Sequence, residues 1–340
     1  MKKVLIIQTA YIGDVILTTS LIEKLHSCFP DASIDFLLRK RNDEILQKHP
    51  FLNEMLVWDK RKNKLKNLWH IFLKIRRHKY DVVINVQRYG ATGFLTAFSG
   101  AKQRIGFDKN PFSFLFSQKI AHTLKAKANY THEIERNHKL IEGLTDKNLL
   151  KPRLYPDDND KVVVNSYITP PYICISPASV WFTKEFPQSK WVEFLEKIDF
   201  NLKIYFLGGA NDYKCAEDIK KKTCFNQHLS LINLCGRLSL LQSAYLMQHA
   251  QMNFVNDSAP LHLCSAMNAP VTAIFCATVP AFGFGPLSDI SYIIENTENL
   301  PCRPCNNHGK KFCPEHHFNC AHKIDVNILI NILKKSFNND

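Results

Sequence analysis

Three short stretches of this 340-residue chain place reactive side chains where an apolar run passes into a helix. The first, TAYIGDVILTTS at 9–20, offers Gly13-Asp14 at such a junction. A carboxylate there has two readings. It caps the helix, or it serves as a general base, since deprotonating a sugar hydroxyl during attack requires an anion within hydrogen-bond reach. The second, ASVWFTKEFPQSKW at 178–191, supplies the hydroxyls of Ser179 and Thr183 and the ammonium of Lys184. A lysine just after a strand can neutralise a departing pyrophosphate; the competing reading is a solvated surface lysine. In the third, NFVNDSAPLHLC at 253–264, Phe254 and Val255 end a strand, Asp257 or Ser258 is the N-cap, and Pro260 sits in the first turn. First-turn N–H groups have no intrahelical partner and, with the positive end of the helix dipole, face whatever sits at the strand's carboxyl end, so this junction suits an anion. An ordinary capped helix is the alternative, and His262, between Leu261 and Leu263, reads either as a core histidine or as a ligand contact.

A fourth cluster, CRPCNNHGKKFCPEHHFNCAH at 302–322, sets Cys302, Cys305, Cys313 and Cys320 among four histidines. Four thiolates, or a Cys/His mixture, would hold a structural zinc tetrahedrally. The second pair is six residues apart rather than two, which is not a standard ribbon spacing, so unpaired or reversibly bridged thiols in a loop are the other reading. The remaining seven cysteines (28, 174, 215, 224, 235, 264 and 276) lie in apolar or helical contexts typical of buried thiols.

The elements that must carry these residues alternate strand and helix twice over. Strand-like runs at 4–9, 33–38 and 81–86, with a helix over 14–28, form a first set. Runs at 172–178, 203–209, 231–236, 252–257 and 271–276, with helices near 188–198, 211–222 and 239–249, form a second. The expected organisation is a first Rossmann-like domain over 1–160, a second over 161–322 that includes the cysteine-rich tail, and a C-terminal helix within 323–340. The Pro- and Asp-rich stretch 151–171 marks the boundary. Ligands of such folds bind at strand carboxyl ends. The first turn lacks G-x-G-x-x-G, which disfavours a dinucleotide dehydrogenase.

Forty-four Lys and Arg against 31 Asp and Glu leave a net charge of +13, which favours anionic partners. The excess peaks between Arg39 and Lys79, where cations interleave with apolar residues at helical spacing. That pattern reads as an amphipathic helix with a solvated basic face, or as a surface for anionic lipid heads or an acidic acceptor. Nucleic acid is disfavoured because no recognisable binding module accompanies the charge. With no long apolar run and no small-residue cleavage site after the initial lysines, the expected location is cytoplasmic.

Taken in order, GDVILTTS at 13–20, ASVWFTKEFP at 178–187, LGGANDYKCAE at 207–217 and NDSAPLHLCSAMNAPVTAIFCATVPAFGFGP at 256–286 resemble the motifs of glycosyltransferase family 9, the ADP-heptose:lipopolysaccharide heptosyltransferases. The resemblance spans nearly the whole chain. It implies a GT-B fold, two Rossmann-like domains with parallel sheets facing a central cleft, and inverting transfer of heptose that requires no metal or other cofactor. It also implies an ADP-heptose donor, a lipopolysaccharide-core acceptor and a position peripheral to the inner face of the inner membrane.

By position in these motifs, Asp14 matches the catalytic base and Lys184 the donor-phosphate lysine. Ser179 and Val180 fall where two hydroxyl residues touch the donor, so one hydroxyl is missing. Asp257, Ser258, Ala259 and His262 match the residues around the diphosphate and sugar, with Ala259 where glycine is usual. Asp212, one place before the aligned Tyr213, is the candidate for the ribose. Leu238 falls at a backbone contact with the adenine. Arg61, Lys62, Lys64 and Arg104 are the candidates for the acidic acceptor. A different nucleotide sugar on the same scaffold, or a non-catalytic binder of acidic glycans or nucleic acid, are the alternative functions.

Overall fold

The computed structural model describes residues 2–122, 131–223 and 225–338 and divides the chain into two compact units, Met1–Tyr155 and Pro156–Asp340. In the first unit the order is β1 (Lys3–Ile7), α1 (Ile12–Cys28), β2 (Ser33–Arg39), β3 (Glu54–Trp58), α2 (Lys64–His78), β4 (Val82–Asn85), α3 (Gly90–Ala97), β5 (Gln103–Phe107), β6 (Gln118–Ile120) and α4 (Glu133–Lys139). The strands form one parallel sheet in the order β3-β2-β1-β4-β5-β6. Val4 to Ile7 and Val82 to Ile84 are buried on both faces, as central strands of a covered parallel sheet require.

Helix α1 begins at Ile12 rather than Asp14 and is buried from Val15 to Leu25. Three consecutive hydroxyls, Thr18, Thr19 and Ser20, bond back to the carbonyls of Asp14, Ile16 and Leu17 and so enter the core satisfied. The end of the unit is tied to the same helix: the Arg153 N–H donates to Thr19 Oγ1 at 3.0 Å and the Tyr155 hydroxyl to Glu23 at 2.8 Å.

The second unit runs α5 (Asp158–Asn165), β7 (Tyr172–Ser176), α6 (Gln188–Glu196), β8 (Leu202–Phe206), α7 (Tyr213–Lys222), β9 (Leu229–Asn233), α8 (Leu240–Gln248), β10 (Met252–Asn256), α9 (Ala259–Met267), β11 (Val271–Phe275), β12 (Ser291–Glu295), α10 (Asn319–His322) and α11 (Val326–Phe337). Its parallel sheet has the order β12-β11-β10-β7-β8-β9, the same doubly wound plan as the first. Helix α5, capped by Asp157, lies inside the Pro- and Asp-rich stretch and packs on α8. The core sets Phe186, Trp191, Phe194 and Phe254 under the sheet, with Leu329 and Leu333 of α11 joining it as that helix packs on α6.

Two six-stranded parallel sheets with flanking helices make this a two-domain α/β chain of the GT-B class. Of the scattered thiols, Cys174, Cys235, Cys264 and Cys276 are buried and Cys28 and Cys215 half-buried, while Cys224 lies outside the described residues. No helix among the described residues is long and apolar enough to cross a membrane.

Candidate functional site

In each sheet the strand order reverses at one place, between β1 and β4 and between β7 and β10. Loops leaving the carboxyl ends of those strands diverge and open a crevice, where doubly wound folds take their ligands. In the second unit that crevice is stitched by Asn256, the last residue of β10. Its amide Nδ2 donates to the Pro177 carbonyl at 2.8 Å, and its Oδ1 accepts from the Phe186 N–H at 3.0 Å. Through this one buried side chain, the loop after β7 is fixed against the start of α9.

Lys184 and Asp257 thereby meet. The ammonium stands 2.7 Å from Asp257 Oδ2, with side chains 16% and 7% exposed. The Thr278 hydroxyl donates to the same oxygen at 2.6 Å. Asp257 is therefore committed to its two neighbours and does not cap α9. Ser258 is the N-cap by backbone, yet its hydroxyl turns back to the Asn256 carbonyl at 3.4 Å, and no side chain caps the helix. Pro260 follows within the first turn. Beside a half-buried lysine, this helix start presents main-chain N–H groups that the N-cap side chain does not satisfy.

Ala259 opens α9 in helical conformation and is absent from the residues with positive φ, so no glycine is needed there. His262 lies one turn further in, buried, with its ring 6.2 Å from that of Phe284. Ser179 bonds through its N–H to the Glu185 carboxylate at 2.9 Å, and Val180 is 79% exposed at the tip of the loop. Asp212 accepts the Gly209 N–H at 2.7 Å and so shapes the turn after β8. Leu238 lies half-buried in the turn before α8, whose cap, Ser239, accepts from the Gln242 N–H at 3.1 Å.

Sequence reasoning passed over Glu185 and Thr278. Burial pushes the Glu185 carboxyl up, and the Asp212 charge adds to it while the Ser179 N–H opposes. The signal for Thr278 was a hydroxyl placed directly after the apolar run VTAIFCA.

In the first unit, Asp14 is the third residue of α1, half-buried, and its carboxylate accepts the Tyr11 N–H at 3.1 Å. Tyr11 holds the cap position, so the N-cap reading of Asp14 is replaced by that of a first-turn acid. Around the same loop, Lys60 donates to Thr9 Oγ1 at 2.7 Å and to the Thr9 carbonyl at 3.1 Å, and the Arg39 guanidinium lies 5.1 Å from the Tyr11 ring centroid. Burial, with the charges of Arg39 and Lys64, pushes the Lys60 ammonium down to about 8.

A cavity of about 320 Å³ is lined there by Arg39, Lys40, Arg41, Lys60 and Arg61, with Asp59 its single acid. Arg61 thus joins the basic group, while Lys62 is exposed just before α2 and Lys64 is exposed at its first position. Arg104 does not join them. It sits near the amino end of β5 and donates to the carbonyls of Ala101 (2.7 Å) and Leu115 (3.2 Å), since a guanidinium beside unpaired loop carbonyls satisfies them first. Helix α2 carries its cations outward together with Leu65 and Trp69, both exposed, while Ile71 and Ile75 face the core.

The cysteine-rich tail does not close into a metal cage. Cys302 Sγ lies 3.9 Å from His317 Nε2, but the four thiols are not among the groups of three or more ligand atoms within 4.8 Å of one another. Among the described residues the single such group is Asp35, Glu54 and His78, where the Lys74 ammonium already pairs with Glu54. Burial pushes the Cys320 thiol up to about 12. The tail's firm contacts are instead main-chain and arginine bonds to the loops after β7 and β11.

The sequence profile of glycosyltransferase family 9 (heptosyltransferase) matches residues 68–315. Lipopolysaccharide heptosyltransferase 3 of Escherichia coli strain K12 is 26% identical over 328 residues, covering 89% of this chain and 91% of that protein. The crystal structure of a family 9 glycosyl transferase from Veillonella parvula DSM 2008 superposes with a TM-score of 0.84 at 19% identity, over 100% of this chain and 98% of that one. An E. coli heptosyltransferase solved with ADP and with ADP-2-deoxy-2-fluoro heptose gives TM-scores of 0.69 and 0.68 at 15% identity, over 98% of this chain and 99% of that one.

Proposed function

We propose that this chain, which belongs to glycosyltransferase family 9, transfers L-glycero-D-manno-heptose from ADP-heptose to the inner core of lipopolysaccharide. The observation that carries the reading is the Lys184 ammonium, 2.7 Å from Asp257 at the start of an uncapped helix. That arrangement suits a diphosphate. The lysine and the first-turn amides of α9 take the phosphate oxygens and stabilise the charge that grows on ADP as it leaves, an effect worth several kcal/mol at a preorganised site. Relatives named as lipopolysaccharide heptosyltransferases, and a related fold solved with ADP and a fluorinated ADP-heptose, support the choice of donor.

In the chemical step Asp14 accepts the proton of an acceptor hydroxyl. The hydroxyl oxygen forms a bond to the anomeric carbon, the bond from that carbon to the β-phosphate oxygen breaks, and its electron pair leaves with ADP, inverting the configuration. Asp14 fits this duty because one of its oxygens is anchored by the Tyr11 N–H and the carboxylate is only half-buried. The basic cavity of Arg39, Lys40, Lys60 and Arg61 fits the carboxylates or phosphates of the acceptor, and α2, with Leu65 and Trp69 among its cations, fits an anionic bilayer surface.

The test is to incubate purified protein with ADP-heptose or UDP-sugars, with and without truncated lipopolysaccharide, and to measure the nucleotide released. Acceptor-dependent release of ADP is expected. Release of UDP would move the chain to another donor, and release of neither would reduce it to a binding protein.

A further inference from the structure

The cysteine-rich segment takes no part in the reaction as proposed, yet residues 303–310 touch the neighbours of both members of the Lys184–Asp257 pair. Arg303 donates through Nε to the Cys276 carbonyl at 2.6 Å and through Nη2 to the Thr278 carbonyl at 2.8 Å, and it pairs with Glu295. The Cys305 N–H donates to the Ala277 carbonyl at 3.2 Å. These bonds fix the turn after β11, which holds Thr278 against Asp257.

On the other side, buried Thr183 and Lys310 exchange three hydrogen bonds. The Thr183 N–H donates to the Lys310 carbonyl at 3.1 Å, the Lys310 N–H donates to Thr183 Oγ1 at 2.7 Å, and the Thr183 hydroxyl donates to the Lys310 carbonyl at 3.3 Å. The Ala277 N–H, donating to the Thr183 carbonyl at 3.1 Å, joins the two sides.

Gly309 is the close point of this arrangement. Its φ is +84°, and a Cβ there would stand 2.8 Å from Lys184 Cγ and 2.9 Å from Trp181 Cβ. The stem of Lys184 thus lies directly on the Gly309 backbone, in space that no side chain can share.

We propose that the Gly309–Lys310 turn is a positioning element of the donor site: it holds the Lys184 stem so that the ammonium is already aimed when a nucleoside diphosphate arrives. The proposal rests on the reading of Lys184 as the diphosphate lysine. A lysine side chain is flexible, and binding ordinarily carries the cost of ordering it; a stem ordered beforehand removes that cost from the binding step.

The experiment is calorimetric titration of ADP and of adenosine into the full chain, its Gly309→Ala and Lys184→Ala variants, and the double variant. Gly309→Ala is expected to weaken ADP by roughly five- to tenfold while leaving adenosine unchanged, because only the diphosphate uses the ammonium. In the Lys184→Ala background the same change should add nothing. Thr183→Val, which removes two of the three clamp bonds and leaves the strained φ alone, should show the same loss confined to ADP, and it carries the test if Gly309→Ala fails to fold.

Equal weakening of ADP and adenosine, additive losses in the double variant, or undiminished ADP binding in both clamp variants would overturn the proposal. If Lys184→Ala itself leaves ADP binding unchanged, the diphosphate assignment falls, and the clamp's role falls with it. A loss in Lys184→Ala without a loss in either clamp variant sinks the clamp alone.

Discussion

Replacing Lys184 by methionine removes the ammonium but keeps most of the stem that rests on Gly309, so it isolates the charge. The partner oxygen is 2.7 Å away, and the two side chains are 16% and 7% exposed. With an effective dielectric of about 20, two charges about 4 Å apart attract by about 4 kcal/mol. Desolvation of both groups offsets much of this, and the Thr278 hydroxyl still donates to Asp257 in the variant. The net cost of leaving Asp257 without its cation is therefore roughly 2 kcal/mol.

In a unit the size of Pro156–Asp340, each kcal/mol moves Tm by about 2–4 °C, so thermal unfolding should come about 4–8 °C earlier. Losing a hydrogen bond from a charged donor to phosphate should also weaken ADP by roughly 10- to 150-fold. Adding Asp257→Asn separates the two effects. An amide at 257 still accepts the Thr278 hydroxyl, and no buried charge is left alone, so most of the lost Tm should return while ADP binding stays weak. Differential scanning calorimetry and isothermal titration read the two quantities independently. A single variant with unaltered Tm and unaltered ADP affinity, or a double variant that regains ADP binding, would refute the reasoning.

Asp14→Asn should lower turnover by roughly 10²- to 10⁴-fold while leaving ADP affinity unchanged, since an amide still accepts the Tyr11 N–H but cannot take a proton; steady-state kinetics beside an ADP titration decide it. Lys60 titrates in the folded chain near 8, below the ordinary lysine value of 10.5, so between those values the unfolded chain holds more protons. Its contribution to stability therefore rises with pH across that window, while its attraction for an anionic acceptor fades. The acceptor KM should climb between about pH 7 and 9, and Lys60→Arg should flatten the profile; a climb that survives in Lys60→Arg assigns it to another group. Leu65→Glu, at an exposed site on α2, should reduce co-sedimentation with anionic vesicles and leave turnover on a detergent-free soluble acceptor intact. Undiminished sedimentation would move the membrane contact elsewhere.

Much of this architecture is written in residue pattern because parallel strands covered on both faces must be apolar runs. VLII, YICIS, FVN and VTAIF announced themselves for that reason. The strands that escaped notice are β3, β5, β6 and β12: β6 has three residues, and EMLVW, QRIGF and SYIIE mix polar or exposed positions with buried ones. Burial on one face leaves little to read. At the site, residue types were informative but partnerships were not. Asp257 looked like a cap because Asp often caps, whereas its carboxylate is taken by Lys184 and Thr278, one of them 73 residues away in sequence (257 − 184 = 73). Likewise, Arg104 carried the right charge for an acceptor contact, but nothing local reveals that the carbonyls of Ala101 and Leu115 claim it first. The cysteine-rich tail drew attention to its thiols, while its strongest bonds come from Arg303 and the main chain of Lys310, which have no spacing signature.

With the diphosphate at the start of α9 as proposed, the missing side-chain cap also ties the endurance of the second unit to its supply of ligand. A helix start without a side-chain acceptor gives up about 1 kcal/mol relative to a capped one. An anion that binds there restores the loss and adds its own mass-action term, about 2.7 kcal/mol when present at about one hundred times its Kd. Resistance to proteolysis should therefore rise with nucleotide concentration, and chains made when that supply is short should be the first to be degraded.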